Sequence, residues 1–440
     1  MEDSMLKRSI AISLILLFFT CLLFAGGQGE KDTMTLKYVR SGKPNRFPEG
    51  EDSEGYAGYA EKVLGHFEEE NPGVKVILIY RDAKQGSLTV DAMMARGDPP
   101  DVWADAQGYF IKYLNDDYAL RLEEYIDLSP YIEYLIEKYT FDGHTYAIPN
   151  NNVAGGFAIN LDILDSIGYA MPAQPDWTTD EFTRLSAKLK AVGMPSTMIP
   201  SMNGMHSWLW PWIYAFGGEL YADGDHSKVA VNTPEAAAGF SYMKMLVDEG
   251  YAYPYPNEQD QNAAVDLFTT GQVFSSMMQN GHTDYWLPEQ VAQGALDEEF
   301  NLTFVEIPHN PPIEHTEVFG YQTIVVAYKS EDEQRNIMSA KLVEKMTGPE
   351  YLYYVAHVSG GFTTRKDYEC TTGAAARPSY RAIAALATDA GQMDLGALSA
   401  ASQEAARAWE LLLPAFMNGE ISVEEMLDQF EVEANEALAR

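Results

Sequence analysis

The stretch SLTVDAMMARGDPPDVWAD, Ser87–Asp105, decides how the chain is read. Its first half has helical character and is stopped by Gly97 and two prolines, which cannot continue a helix. DVWAD then reads as a short strand. Working backwards, VKVILIY (74–80) is a strand rich in β-branched residues. YAEKVLGHFEEENPG (59–73) carries Val63, Leu64 and Phe67 at helical spacing and ends at Asn71-Pro72-Gly73. TMTLKYVRSG (33–42) alternates apolar and polar residues up to Gly42. Strand, helix, strand, helix, strand is the rhythm of an α/β unit, and it predicts a largely parallel sheet.

The pattern continues downstream. FDGHTYAIPNNN (141–152) has a hairpin turn at Asp142-Gly143, and GGFAINLDILDSIGY (155–169) runs a strand into a helix. Helices are expected in WTTDEFTRLSAKLKAVG (177–193), capped by Thr178 or Thr179, in TPEAAAGFSYMKMLVDEG (233–250) and in SEDEQRNIMSAKLVEKMTG (330–348). YQTIVVAYK (321–329) is a strand, AAVDLFTTGQVFSSMM (263–278) has helical character, and Thr371–Arg377 reads as a mobile loop. The tail from Ser399 reads as two helices broken at Asn418-Gly419.

The chain has 440 residues, 46% hydrophobic and 22% charged, enough for two or three domains or two lobes. A formal charge of −35 argues against nucleic acid and anionic lipid as partners and describes a well-solvated surface. The N-terminus has Lys7 and Arg8, an apolar run from Ile10 to Phe24, then Ala25, Gly26 and Gly27. That is the layout of a secretory signal peptide over residues 1–27, with an anchor helix as the alternative. Cys21 is either lipidated or removed with the signal; the bulky FFT before it fits a lipidation signal poorly. Cys370 is the other cysteine, so the fold rests on its core and not on disulfides.

No G-x-S-x-G, H-E-x-x-H or G-x-x-x-x-G-K occurs. His309 and His315 lie in a Pro-rich connection, and Asp223 with Asp225 fits a hairpin turn better than a calcium cage. No metal or cofactor is implied. Aromatic and amide density near strand ends does stand out: Trp103 and Asp105; Asn150, Asn151 and Asn152; Gln279, Asn280 and His282. Amides and carboxylates hydrogen-bond hydroxyls in pairs, while aromatic rings stack on the CH-rich face of a sugar. HSWLWPWIYAFGG (206–218) places three of seven tryptophans, Trp208, Trp210 and Trp212, at alternate positions. On a strand all three share a face, although Pro211 works against regular pairing. One or two are expected to reach a cleft while the rest pack.

Taken in order, MMARGDPPDVWAD, FDGHTYAIPNNNVAGGFAINLDILDSIGY, WPWIYAFGGELY, DLFTTGQVFSSMMQNG, SGGFTTRKD and PAFMNGEISVEEMLDQFEVEANEAL resemble segments of bacterial extracellular solute-binding proteins of the maltose-binding type. The resemblance runs from about Thr35 to the C-terminus. It implies an α/β, two-lobe periplasmic-binding-protein fold with hinge crossovers and a ligand cleft between the lobes. Lobe 1 would comprise 28–149 and 319–362, and lobe 2 would comprise 150–318 and 363–440.

The implied function is capture of a sugar or oligosaccharide and delivery to an ABC import permease in the inner membrane, by an exported, non-catalytic monomer that is periplasmic or membrane-associated on the outer side of the inner membrane. An exported carbohydrate-active enzyme, and the same fold with a peptide or polyamine ligand, are the alternatives. Carried over residue by residue, the resemblance makes Trp210 a stacking platform and Asp105 a contact to sugar hydroxyls. Asn151 and Asn152 lie beside a position that is often acidic. A later tryptophan platform would fall near Gly281 or His282, so the ligand shape would differ. Gly360 and Gly361 match a glycine pair that lets backbone approach the ligand. Arg40, Trp103, Trp208, Asn280 and Tyr321 complete the expected ligand-binding set.

Overall fold

The computed structural model describes residues 33–41, 58–81, 87–171, 177–199, 208–222, 225–255, 261–389, 392–393 and 402–439. The expected signal peptide, with Cys21, lies outside them, as does Asp223.

Eight strands make the main sheet: β1 (Met34–Ser41), β2 (Val74–Arg81), β3 (Val102–Ala106), β4 (Ala147–Asn160), β5 (Ser275–Gln279), β6 (Leu302–Val305), β7 (Val318–Ala327) and β8 (Gln392–Met393). Their order is β6-β4-β7-β3-β1-β2, with β5 also on β4 and β8 on β7. The first three strands are parallel, as the strand–helix rhythm predicts. The sheet as a whole is not largely parallel, however. β7 runs antiparallel to both β3 and β4, and β4 antiparallel to β5 and β6. The reason is topological: β4 carries the chain out of one core and β7 brings it back, so the two run in opposite senses side by side.

Two apolar clusters cover opposite faces of the β2-β1-β3 end. Leu36, Tyr38 and Val102 pack on one face with the helices Gly58–Glu70 and Glu333–Met346. Val39, Trp103 and Ile324 pack on the other with Leu88–Ala95 and Phe110–Asn115. A third, larger core holds the far half of β4, the middle of the chain and the C-terminal helices Ser402–Met417 and Val423–Leu438. Ile148 and Ile324 lie in the first region, formed by the two clusters on the β2-β1-β3 end, whereas Ala154, Phe157 and Phe319 lie in the third core, the second region. Helix Pro349–Ser359 packs on the first region through Tyr351 and Val355, whereas Phe362 lies against the third core. Among the described residues, the chain therefore passes between the two regions three times, which is the two-lobe plan.

Local chemistry explains the element ends. Thr178 and Ser422 each form a reciprocal capping box, with Glu181 and Glu425, that satisfies helix-start N–H groups. Asp142 and Gly143, at φ 51° and 81°, make the tight turn of the hairpin Thr140–Phe141/His144–Thr145. Three sequence expectations change. The run 263–278 divides into a helix, Gln261–Thr269, and β5, because Thr270-Gly271 ends the helix with Gly271 at φ 70°. The expected loop around Thr371–Arg377 holds a 3-10 turn, Gly373–Ala376, with Ala374 and Ala375 buried. The third change is the tryptophan segment, a helix over Trp210–Tyr214.

Candidate functional site

The carboxyl ends of parallel strands are where open α/β sheets place ligands, since neighbouring loops and unpaired backbone converge there. At the carboxyl ends of β1, β2 and β3 stand Arg40, Arg81 and Asp105, the last or next-to-last residue of each strand, all buried. Side chains alternate across a strand, so Arg40 turns to one face of the sheet and Asp105 to the other. Arg40 donates to the Tyr59 hydroxyl at 3.4 Å and lies 5.3 Å over its ring. Asp105, 1% exposed, is ion-paired to Arg81 and accepts the Ala106 N–H at 2.8 Å. Its Oδ2 has no hydrogen-bond partner among the described residues. Burial pushes its carboxyl up to about 6, against the pull of Arg81.

The second concentration of polar groups lies where β4 and β7 cross. Thr323 pairs with Asn151 and Ile324 with Pro149, so Asn150 is an extra residue in β4, a bulge that re-aims its neighbours. The buried Asn150 Nδ2 and Asn151 Oδ1 have no partner among the described residues. Asn152 exchanges two backbone hydrogen bonds with Phe362, at 3.2 and 2.9 Å. Its Oδ1 accepts from Gln322 Nε2 at 2.8 Å. Asn280 donates through Nδ2 to the Gly360 carbonyl at 2.7 Å and accepts the Ala154 N–H at 3.3 Å. Tyr321, half-buried, donates to Gln279 Oε1 at 3.3 Å.

Gly281 (φ 82°) and Gly360 (φ 64°) meet back to back; a Cβ on Gly360 would lie 3.0 Å from the Gly281 Cα, and one on Gly281 would overlap the Ser359 carbonyl oxygen. A Cβ on Gly361 would overlap Asn151 Oδ1. The expected residues Asn151, Asn152, Asn280, Gly360 and Gly361 are thus brought together, with Tyr321 one residue from Gln322 on β7. His282 is the first residue of the helix His282–Ala292.

The tryptophans do not form the expected platform. Residues two apart on a helix point to nearly opposite sides, so Trp210 and Trp212 diverge. Trp210, 2% exposed, stands edge-on to Trp409 at 5.0 Å and packs on Phe430 at 5.9 Å. Trp212 packs on Phe157 at 5.8 Å and Tyr242 at 6.1 Å, and Trp208 is buried in the same core. Pro211 belongs at a helix start, where its missing N–H costs nothing. Trp103 is likewise core, edge-on to Tyr113 at 5.1 Å.

Asn150, Arg81, Gln322 and Tyr134 also stand among these polar groups and are not in the expected ligand-binding set. Tyr134, on the helix Glu133–Glu137, is 50% exposed beside Asn152, whose amide partly offsets the burial that raises its phenol. Nothing in its local sequence marks it. Arg81, closing a strand at its carboxyl end, carried the same positional signal as Arg40. One further group, Glu123, Glu124 and His144, has spacing suited to a metal. There Glu123 holds His144 Nδ1 at 2.6 Å and the Thr145 N–H at 2.9 Å, which accounts for its position.

Two α/β lobes joined by three chain crossings, with buried polar groups gathered at the crossings, define a two-lobe binding fold of the periplasmic-binding-protein class. The bacterial extracellular solute-binding protein family matches residues 62–382, and the chain belongs to that family. A search of curated proteins finds no match.

Several solved structures share the fold. The ABC substrate-binding protein Lmo0181 from Listeria monocytogenes, in complex with cycloalternan, is 17% identical with a TM-score of 0.74, covering 93% of this chain and 100% of that one. A chitin oligosaccharide binding protein is 18% identical at a TM-score of 0.76, covering 93% and 100%. Maltose-bound MalE3 of T. maritima is 17% identical at 0.72, covering 91% and 99%.

Proposed function

We propose that the protein captures a sugar or oligosaccharide between its lobes and hands it to an ABC import permease. The observation that carries this reading is the set of buried hydrogen-bonding atoms without partners among the described residues, Asp105 Oδ2, Asn150 Nδ2 and Asn151 Oδ1, beside the crossing strands. A buried polar atom left unmatched costs about 1–3 kcal/mol, so a ligand that satisfies it gains that much in return. One carboxylate oxygen and two amide atoms offer both acceptors and donors, which suits a neutral polyhydroxylated ligand. The ligands of the structures above, cycloalternan, maltose and a chitin oligosaccharide, support the same class.

In this reading lobe 1 takes 28–149 and 319–362, lobe 2 takes 150–318 and 363–440, and β4 and β7 are shared between them. The protein acts as a non-catalytic monomer at the outer side of the inner membrane, in the periplasm. The aromatic surface offered to a sugar face is Tyr134 with Tyr321, in place of the buried tryptophans.

A thermal-shift screen tests the reading, with mono- and oligosaccharides, polyols, amino acids, peptides and polyamines. A ligand that binds only the folded state at a hundredfold excess over its dissociation constant stabilises by about 2.7 kcal/mol. A shift with a sugar that mass analysis then finds unaltered supports capture. A shift only with peptides or polyamines overturns the substrate, and cleavage of the sugar overturns the non-catalytic role.

Two expectations follow for Asp105. Asp105→Asn weakens binding of the sugar found in the screen about tenfold. Unchanged affinity in the folded variant removes Asp105 from the site. The second concerns pH. The folded-state value of about 6 lies above the ordinary 3.8, so the native state holds this proton more tightly than the unfolded chain. The group's contribution to stability is therefore greatest at low pH and falls as pH rises to about 6, then levels off. Ligand affinity runs the other way. Below pH 6 the charged acceptor is lost, and calorimetry at pH 5 and 7 is expected to show weaker binding at pH 5.

A further inference from the structure

The three crossings between the lobes meet at one residue. Asn152 lies on the first, β4. It pairs through its backbone with Phe362 on the third and through its side chain with Gln322 on the second, β7. Gln322 is fully buried and is held from the other side as well. Its N–H donates to Gln107 Oε1 at 3.0 Å, just beyond β3, and the Tyr139 hydroxyl stands 3.1 Å from both Gln107 Oε1 and Gln322 Oε1. Tyr139 has one proton for two acceptors, so it satisfies one at a time.

Backbone ladders between two long strands tolerate gradual twisting. A side-chain hydrogen bond between the same strands is directional and weakens steeply once its angle falls off. The bond between Gln322 and Asn152 therefore resists relative rotation of β4 and β7 more sharply than the ladder around it. Breaking it takes from the buried Gln322 Nε2 its acceptor and from Asn152 Oδ1 its donor, a cost the backbone ladder does not carry.

We propose that Gln322 is a positioning residue that locks β4, β7 and the Gly360–Phe362 crossing in one arrangement. By doing so it sets the populations of the interlobe geometries available for ligand capture. The proposal rests on the two-lobe binding reading above, but it is tested without ligand. Leu88 and Val192 are exposed, one on each lobe, and their cysteine variants take spin labels while Cys370 stays buried.

In the otherwise unaltered protein the interlobe distance distribution is expected to be dominated by one population. Gln322→Leu shifts the ratio of populations about tenfold, the factor carried by one buried hydrogen bond. Asn152→Ala gives a similar shift, and the double variant gives no more than either alone. Stability alone does not discriminate, because any core change lowers it; the distance distribution does. Folded variants with the original distribution overturn the proposal.

Amide hydrogen exchange in the unaltered protein decides the case if these variants fail to fold. Asn152, Gln322 and Phe362 must exchange together and slowly, and fast independent exchange at Phe362 overturns the lock. A negative ligand screen would remove the sugar reading and leave the distance result standing, so the two failures are distinguishable.

Discussion

Trp210→Ala lowers the stability of the protein by about 3–5 kcal/mol, the range for truncating a large aromatic in a packed core. The side chain is enclosed by Trp409 and Phe430, which themselves stack at 4.0 Å, and Phe240 adds a contact to Trp409 at 4.8 Å. Removing the indole leaves a cavity between the helix Trp210–Tyr214 and the two C-terminal helices, whose hold on the lobe passes through this cluster. Urea unfolding reads the loss directly. Sugar affinity measured well below the unfolding midpoint is expected to stay within about threefold, an ordinary margin for a residue that does not touch the ligand. Intact stability with abolished binding would instead return Trp210 to the cleft.

Gly281→Ala has the second large effect, on the order of 4 kcal/mol or more. Two terms act together. A residue with a Cβ at φ 82° pays the left-handed penalty of about 1–2 kcal/mol. The added methyl would also occupy the place of the Ser359 carbonyl oxygen, a backbone atom that moves only if the end of helix Pro349–Ser359 moves. Gly294→Ala separates the terms. Gly294 has φ 75° with open space around it, so only the conformational penalty applies. Melting curves of the two variants should differ clearly. Equal losses would show that the back-to-back approach of Gly281 and Gly360 contributes nothing.

Much of the architecture is legible locally. The β-branched run at 74–80, the stop at Gly97 with two prolines, the Asp142-Gly143 turn and the capping residue Thr178 all act within a few residues. Their elements appear where periodicity and turn chemistry place them. The direction of β4 and β7 was not legible, because strand sense depends on which core a strand leaves and which it enters. Residues 263–278 show the same limit: a continuous apolar run carries no sign of where helix yields to strand beyond its glycine.

The candidate site divides in the same way. The amides clustered at Asn150–Asn152, the glycine pair Gly360-Gly361 and the acid near the end of β3 can be singled out because they concentrate hydrogen-bonding groups and free backbone in short stretches. Gln322 and Tyr134 cannot, since each is ordinary in its own segment and is distinguished only by partners far away in sequence. The tryptophans show the converse error. Alternate spacing suggested a shared face, but Pro211 began a helix and the two C-terminal helices enclosed it.

The sequence by itself determined most of the elements and their approximate ends, because turns, caps and periodicity are local interactions between near neighbours, while the two-lobe class followed from the ordered resemblance to solute-binding proteins. Only the tertiary structure decided which aromatics are buried and which crossings share a hydrogen-bonded node. Those outcomes depend on packing between segments more than a hundred residues apart, whose approach no local pattern encodes.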